Sequence, residues 1–157
     1  MLEKAIQIAV KAHEGQKDKA GQPYILHPLR VMLRTDSEIE RICAVLHDVI
    51  EDTPITLQML RDEGFTPEVL NALELLTKRQ DESYDDFISR ILTNETACRV
   101  KLADLYDNMN LSRIQTPTEE DYKRVDKYKR AVSRIQRHLG ISGKTGQIEK
   151  RTNEEQI

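Results

Sequence analysis

Four ionisable residues interrupt an otherwise apolar stretch, AVLHDVIEDTP, at residues 44–54. They are His47, Asp48, Glu51 and Asp52. Residues four apart share a helix face, so these side chains would form one polar edge on an apolar helix. A carboxylate is costly to bury unless a counter-charge compensates it. The stretch therefore indicates a helix that holds a counter-ion, and a bound metal cation would fill that role.

Two other segments place similar residue types on apolar helices. In VKLADLYDNMNL, Asp104 and Asn108 share one helix face, and in YILHPLR, His27 opens a helix. Two imidazoles and two carboxylates from separate helices suit manganese, iron, cobalt or zinc. A divalent cation lowers the pKa of an adjacent water molecule, and Glu51 and Asp52 would then align that water or shuttle its proton.

Each of these residues also has an ordinary structural interpretation when it is taken alone. A single histidine such as His27 is more often a helix-end or core residue, and Asp104 alone would fit a salt bridge with Lys101 or Arg113. The metal-site interpretation depends on their occurrence together, in the order His, His-Asp, Asp, on apolar helix faces.

Helical spacing of apolar residues runs through almost the whole chain and predicts an all-α fold, a compact multi-helix bundle. No alternation typical of a β-strand persists for more than a few residues. Pro67 after Thr66, and Asp121 three residues after Thr118, are typical of helix N-termini. The predicted helices cover residues 2–14, a segment that begins near residue 28, and residues 39–52, 57–60, 67–76, 84–92, 97–111 and 118–139.

Composition fits one helical domain. The chain has 157 residues, of which 32% are charged, and its net charge is −3. That charge argues against broad nucleic-acid binding, which needs a basic surface. No apolar run approaches the roughly 20 residues of a membrane span, and the mixed charges of the first residues are not those of a signal peptide. Cys43 and Cys98 lie far apart without CxxC spacing, as expected of reduced thiols. We expect a soluble, cytoplasmic protein.

The last residues differ from the rest in composition. From Gly140 onward the chain is polar, contains three glycines and has little to pack. The sequence therefore predicts one folded domain over residues 1–139 and a disordered polar tail over residues 140–157.

The order His27, His47-Asp48, Asp104 resembles the metal signature of the HD phosphohydrolase superfamily. More narrowly, GQPYILHP, AVLHDVIEDT and VKLADLYDNM resemble the hydrolase domain of RelA/SpoT enzymes and the stand-alone small alarmone hydrolases, over about residues 3 to 137. The resemblance implies an HD-domain helical bundle that removes the 3′-pyrophosphate from guanosine alarmones of the (p)ppGpp type. It also implies one divalent metal ion, manganese, as cofactor and a small nucleotide as substrate.

The resemblance carries roles onto individual residues. It makes His27, His47, Asp48 and Asp104 the metal ligands, and it makes Glu51 and Asp52 the catalytic acidic pair. It places Asn108, Arg124 and Tyr128 against the substrate, and Lys78 in a segment that supplies a cation to the departing pyrophosphate. Taken alone, Tyr128 would equally fit the core, and Arg124 and Lys78 would equally fit solvated charges. His13 also matches a family histidine, and its position on the first helix favours a structural role.

One departure from the family bears on the substrate. Where these hydrolases place an arginine that packs against the guanine base, this chain has Asp18, and a carboxylate neither stacks on a base nor attracts phosphate. Lys17 or Lys19 would substitute if the loop shifts by one residue. Otherwise the same site would act on a 2′- or 3′-phosphate or pyrophosphate of another nucleotide or dinucleotide. A non-catalytic nucleotide or metal sensor is a third interpretation, and a homo-oligomer is compatible with all three.

Overall fold

The computed structural model describes residues 1–141, and this part of the chain is helical. It contains α1 (Leu2–Ala12), α2 (Leu26–Leu33), α3 (Glu38–Leu46), α4 (Val49–Asp52), α5 (Leu57–Asp62), α6 (Pro67–Leu76), α7 (Tyr84–Ile91), α8 (Glu95–Asn108) and α9 (Glu119–Leu139), with a 3₁₀ turn at Leu111–Arg113. No strand occurs in the described part, where one isolated β-bridge joins Lys17 to Pro23. The predicted all-α fold is confirmed.

Helix starts follow the predicted capping residues. Thr66 accepts a hydrogen bond from the Val69 amide, with Pro67 at the first position of α6. At the start of α9, Thr118 accepts from the Asp121 amide, and Asp121 accepts in return from the Thr118 amide at 2.8 Å. Aspartate therefore completes this capping box in place of the usual Glu or Gln.

The segment 39–52, predicted as one helix, is broken at His47 and Asp48. The Nδ1 atom of His47 donates to the carbonyl oxygen of Ala44 at 2.6 Å, and the His47 amide contacts the same oxygen at 3.4 Å. In a continuous helix this carbonyl would accept from the Asp48 amide. The imidazole takes that place, so α3 ends at Leu46 and α4 begins at Val49.

Helix α3 lies at the centre of the bundle and packs against α1, α2, α6 and α8. Every residue from Ile42 to Leu46 is buried, as are Val100 and Leu105 on α8 and Leu73 on α6. Burying a leucine side chain contributes about 1.5–3 kcal/mol to folding. His27 and Asp104 therefore lie on helices α2 and α8, which pack against α3, and His47 and Asp48 directly follow α3.

Other predictions concern the start of α2, membrane-spanning helices and the end of α9. Helix α2 begins at Leu26, so His27 lies in its first turn rather than ahead of it. Within residues 1–141, none of the helices combines the length and apolar character needed to cross a membrane. The left-handed Gly140 (φ 69°) ends α9. The tail predicted from residue 140 falls, after residue 141, outside the described residues and stays a prediction.

Candidate metal centre and adjoining cavity

The four side chains predicted as metal ligands converge on one point. Oδ1 of Asp104 lies 3.0 Å from Nε2 of His27 and 3.2 Å from Nε2 of His47. Oδ2 of Asp48 lies 3.1 Å from the His47 Nε2 and 3.5 Å from the His27 Nε2. Adjacent ligand atoms around a cation at about 2.1 Å stand about 3 Å apart, so these spacings match the edges of a coordination polyhedron.

The outer nitrogen of each imidazole already has an acceptor. Nδ1 of His27 donates to Oδ2 of Asp107 at 2.7 Å, and Nδ1 of His47 donates to the Ala44 carbonyl. With its proton on Nδ1, a neutral imidazole presents a free lone pair on Nε2. His27, His47 and Asp104 thereby offer three ligand atoms within 4.8 Å of one another. This donor set fits a divalent cation.

The carboxylates and imidazoles of the centre strongly shift the pKa values of one another. Burial opposes the charged form of His47, but the carboxylates of Asp48 and Asp104 outweigh it and raise its pKa well above the ordinary value. Burial likewise opposes the ionised Asp104, yet Lys101 and His47 hold its pKa well below the usual range. The carboxylates therefore stay ionised and create a field that attracts a cation.

Tyr24, Lys101 and Asn108 hold the carboxylates of Asp48 and Asp104 in place. The Tyr24 hydroxyl donates to Oδ2 of Asp48 at 2.5 Å, and burial together with Asp48 raises the pKa of this phenol, which keeps its proton. The Lys101 ammonium donates to Oδ2 of Asp104 at 2.9 Å, and Nδ2 of Asn108 donates to Oδ1 of Asp104 at 3.0 Å. The salt bridge between Asp104 and Lys101, which was the alternative interpretation of Asp104, is therefore present. It uses Oδ2 of Asp104 and leaves Oδ1 facing the two imidazoles.

Asp107 is a functional residue that the sequence analysis missed. It is 1% exposed, and besides His27 it accepts from Nε of Arg30 at 2.8 Å and contacts Nη2 of Arg113 at 3.4 Å. Arg113 therefore pairs with Asp107, and its alternative pairing with Asp104 is wrong. The available signal was spacing, because Asp107 follows Asp104 by three residues and shares its helix face.

Glu51 and Asp52 lie at the mouth of the centre and are exposed, so their predicted burial is wrong. The short helix α4 turns them outward after the break at Asp48. Glu51 accepts a hydrogen bond from the Lys78 amide, and the Asp52 carbonyl accepts from Nε2 of Gln16 at 3.0 Å. Partial desolvation and the charge of Asp48 raise the pKa of both carboxyls, which suits groups that exchange protons.

A cavity of about 300 Å³ opens beside His27. Five of the six residues predicted to contact substrate line it, and Arg30 and Arg113, which were not predicted to contact substrate, line it too. The five are Lys17, Lys19, Asn108, Arg124 and Tyr128. Lys78 is not among the lining residues and instead lies next to Glu51.

Asp18 also lines this cavity, and its side chain organises the loop before α2. Its Oδ1 accepts from the amides of Ala20 and Gln22, each at 2.9 Å. Backbone hydrogen bonds join Asp18 to Gln22 and Tyr24 to Gln16 across the same loop. The carboxylate therefore fixes the backbone that presents Lys17 and Lys19 to the cavity.

Comparison with known proteins gives a consistent result. No protein-family model matches the chain. A guanosine-3′,5′-bis(diphosphate) 3′-pyrophosphohydrolase of Haemophilus influenzae is 36% identical over 129 residues, covering 74% of this chain and 19% of that protein. The protein of the same name from Aquifex aeolicus is 34% identical over 121 residues, covering 69% and 17%. The chain thus spans less than a fifth of the length of these relatives.

A solved structure shares the fold over nearly the whole chain. It is that of a metazoan SpoT orthologue described as hydrolysing ppGpp, with a TM-score of 0.70 and 24% identity. The alignment covers 98% of this chain and 92% of that one. This likeness shows the arrangement of helices.

Proposed function

Because the chain belongs to the HD-domain phosphohydrolases of the RelA/SpoT hydrolase type, we propose that it is an enzyme that removes the 3′-pyrophosphate from (p)ppGpp-type guanosine alarmones. The observation that carries the proposal is the convergence of two imidazoles and two carboxylates at 3.0–3.5 Å. An acidic pair at the mouth and a cavity lined by cations complete the arrangement.

His27, His47, Asp48 and Asp104 would hold one divalent metal ion, and we propose manganese. Carboxylate and neutral imidazole together suit this ion. When bound, such an ion activates water and polarises a phosphoryl oxygen. The hydrogen bonds from Tyr24 and Lys101 orient the two carboxylates for that role.

Glu51 and Asp52 handle the proton. Water adds to the phosphorus next to the ribose, and one of these carboxylates takes the proton that the water gives up. The bond between that phosphorus and the 3′-oxygen breaks, and the 3′-oxygen leaves with a proton. The products are inorganic pyrophosphate and the nucleotide with a free 3′-hydroxyl. The raised pKa values of Glu51 and Asp52 bring them closer to the range in which a carboxyl both accepts and returns a proton.

The substrate would lie in the cavity beside His27. Lys17, Lys19 and Arg124 offer positive charge to its phosphates, and Asn108 and Tyr128 offer polar and aromatic contacts. Lys78 would approach the reacting phosphate from the side of Glu51.

Asp18 supports a second candidate function on the same catalytic residues. Its carboxylate lines the cavity, where a guanidinium would stack on a base. The alternative substrate is another nucleotide or dinucleotide with a 2′- or 3′-phosphate or pyrophosphate.

The test is release of pyrophosphate and phosphate by the manganese-loaded protein from a panel of nucleotides. The panel compares the guanosine alarmone with other 2′- and 3′-phosphorylated nucleotides. Glu51→Gln removes the candidate base, and Glu14→Gln is its matched control because Glu14 is exposed on the surface. We expect pyrophosphate release from the alarmone, lost in Glu51→Gln and kept in Glu14→Gln. Release from another nucleotide alone would favour the second candidate, and silence with metal bound would favour a sensor.

A further inference from the structure

Lys127 on α9 is held against two aromatic rings. Its ammonium lies 4.5 Å from the ring centre of Tyr84 and 5.4 Å from that of Tyr128, whose centres are 6.3 Å apart. Cation–π contacts of this kind fix an otherwise flexible lysine. Within residues 1–141, Lys127 makes no ion pair and no side-chain hydrogen bond. It is a positioned cation whose ammonium protons have no acceptor in the described chain.

Other cations surround Lys127. Partial burial and the charges of Lys101, Arg124, Lys78 and Arg130 lower its pKa. Lys101 and Arg124 are each paired with an aspartate, whereas Lys78 and Arg130 form no ion pair within the described residues. Clustering like charges without carboxylates is unfavourable. An anion of high charge would relieve that repulsion.

The rings that hold Lys127 also connect it to the metal centre. The hydroxyl of Tyr84 is buried, and this burial outweighs the opposing charge of Lys101 and raises the pKa of Tyr84 to about 12. Burial also raises the pKa of Tyr128, whereas the charge of Lys101 lowers it and that of Asp104 raises it. Lys127 thus lies near enough to Lys101 for their charges to repel, and Lys101 is hydrogen-bonded to Asp104.

Space for an anion lies next to Lys127. A depression of about 220 Å³ between α7 and α9 is lined by three cations, Lys127, Arg130 and Arg134, and one carboxylate, Asp85. Tyr128 lines the larger cavity that contains His27. The adjacent residues Lys127 and Tyr128 thus line the depression and the cavity, respectively.

We propose that Lys127 binds the outer phosphate of the substrate's 3′-pyrophosphate, the phosphate farther from the ribose, and keeps hold of it as inorganic pyrophosphate is formed. This inference rests on the proposed function. Lys127 stays protonated throughout and makes no covalent bond. Its contribution is to balance charge on the pyrophosphoryl group while the bond to the 3′-oxygen breaks. Binding of this outer phosphate by α9 would also distinguish a 3′-pyrophosphate from a 3′-monophosphate, which has no outer phosphate.

The experiment compares Lys127→Met with Lys129→Met in the manganese-loaded full chain. Lys129 is an exposed lysine two positions along the same helix, so the two variants lose the same charge. Steady-state kinetics give kcat/KM for the alarmone, and inhibition constants are measured for inorganic pyrophosphate and inorganic phosphate with free manganese held constant. Lys127→Arg tests whether charge alone restores the function.

Loss of one charge-assisted contact is worth on the order of 10- to 100-fold. We expect Lys127→Met to lower kcat/KM and to raise the pyrophosphate inhibition constant by such a factor, with the phosphate constant nearly unchanged. Lys129→Met should behave as the parent protein, and Lys127→Arg should recover part of the loss. Equal kcat/KM and equal pyrophosphate inhibition constants in the two methionine variants would overturn the role of Lys127. Hydrolysis of the alarmone by the parent protein would still support the proposed function in that case.

Failure of the proposed function gives a different result. If the parent protein does not hydrolyse the alarmone, equilibrium dialysis with labelled inorganic pyrophosphate tests the anion site by itself. Weaker binding by Lys127→Met than by Lys129→Met would support the anion site, and equal binding would exclude it.

Discussion

Asp107 sets the orientation of His27, a proposed metal ligand, through the imidazole nitrogen that faces away from Asp104. Its buried carboxylate binds Nδ1 of His27 and the guanidinium of Arg30, so it fixes which imidazole nitrogen carries the proton. Carboxylates that act through a ligating histidine typically contribute about 10- to 100-fold to metal affinity. Because Asp107 is ionised and fully enclosed, its charge also partly offsets that of Arg30.

Replacing Asp107 by asparagine keeps the shape of the side chain and removes its charge. We expect Asp107→Asn to weaken manganese binding by about 10- to 100-fold. Isothermal titration calorimetry measures the affinity, and Asp126→Asn, an exposed aspartate on α9, controls for the change in net charge. Unchanged affinity in Asp107→Asn would mean that the His27 ring is held by its helix alone.

At the level of elements, a chain of hydrogen bonds ties α1 to the end of α4. His13, which is 2% exposed, binds Oε1 of Gln16 through Nδ1 at 2.8 Å, and Nε2 of Gln16 donates to the Asp52 carbonyl at 3.0 Å. Helix α4 has only four residues and an exposed outer face. Such a short helix has little stability of its own, so the Gln16 contact helps to fix the end of α4, as the Lys78 amide does at Glu51.

Gln16→Ala should therefore affect the reaction more than the binding of substrate. A displaced catalytic group lowers kcat, and we expect a decrease on the order of tenfold or more. KM and manganese affinity should change little, because the side chain of Gln16 is hydrogen-bonded to His13 and to the Asp52 carbonyl and to none of the cavity lysines or proposed metal ligands. Gln58→Ala, on the exposed face of α5, serves as the control. A rise in KM with unchanged kcat would place Gln16 in substrate binding instead.

Hydrogen bonds from one arginine, Arg90, hold the segment between α6 and α7 in place. Arg90 donates to both carboxylate oxygens of Glu82 and to the carbonyl of Thr77, which holds residues 77–82 against α7. The hydrogen bonds from Arg90 lower the pKa of Glu82 to about 2, from an ordinary value of 4.5. The stabilisation is therefore complete above pH 4.5 and disappears as the pH falls toward about 2.

Glu82→Gln should lower the melting temperature at pH 7 by a few degrees, on the order of 2–4 °C. As the pH falls below 4.5, the difference from the parent protein should shrink, because the unfolded parent then takes up a proton at Glu82 while the folded parent keeps this carboxylate ionised until about pH 2. Thermal unfolding followed by circular dichroism between pH 7 and pH 3 measures it. Glu95→Gln removes an exposed pair with Arg99 and should have almost no effect at any pH. A constant difference across that range would show that the contact does not depend on the charge of Glu82.

Local sequence signals predicted where helices start, but they did not predict the break between α3 and α4. Thr66-Pro67 and Thr118 mark helix starts because capping depends on residues within one turn. The break at His47 depends on an imidazole that competes for the Ala44 carbonyl, and helical periodicity continues through it. The exposure of Glu51 and Asp52 follows from that break. Asp107 and Arg30 meet across 77 residues of sequence, a contact that no local pattern specifies.

At the scale of the whole molecule, three buried or half-buried carboxylates, Asp48, Asp104 and Asp107, meet where α2, α3 and α8 come together. His27, His47, Lys101 and Arg30 surround these carboxylates with hydrogen-bond donors and positive charge. A divalent cation would bind the folded arrangement and not the unfolded chain, whose ligands are separated by up to 77 residues, from 27 to 104. Metal binding is therefore coupled to the stability of the entire bundle.

Manganese at about 100 times its dissociation constant should raise the free energy of unfolding by about 2.7 kcal/mol. For a chain of this size each kcal/mol corresponds to roughly 2–4 °C, so the melting temperature should rise by about 5–10 °C. Asp48→Ala removes a ligand that touches both imidazoles and should abolish this rise together with any hydrolytic activity. Differential scanning calorimetry with manganese or with a chelator measures both proteins. A ligand raises the melting temperature only if it binds the folded state more tightly than the unfolded chain. An equal rise in Asp48→Ala would therefore mean that manganese binds the folded protein at another site.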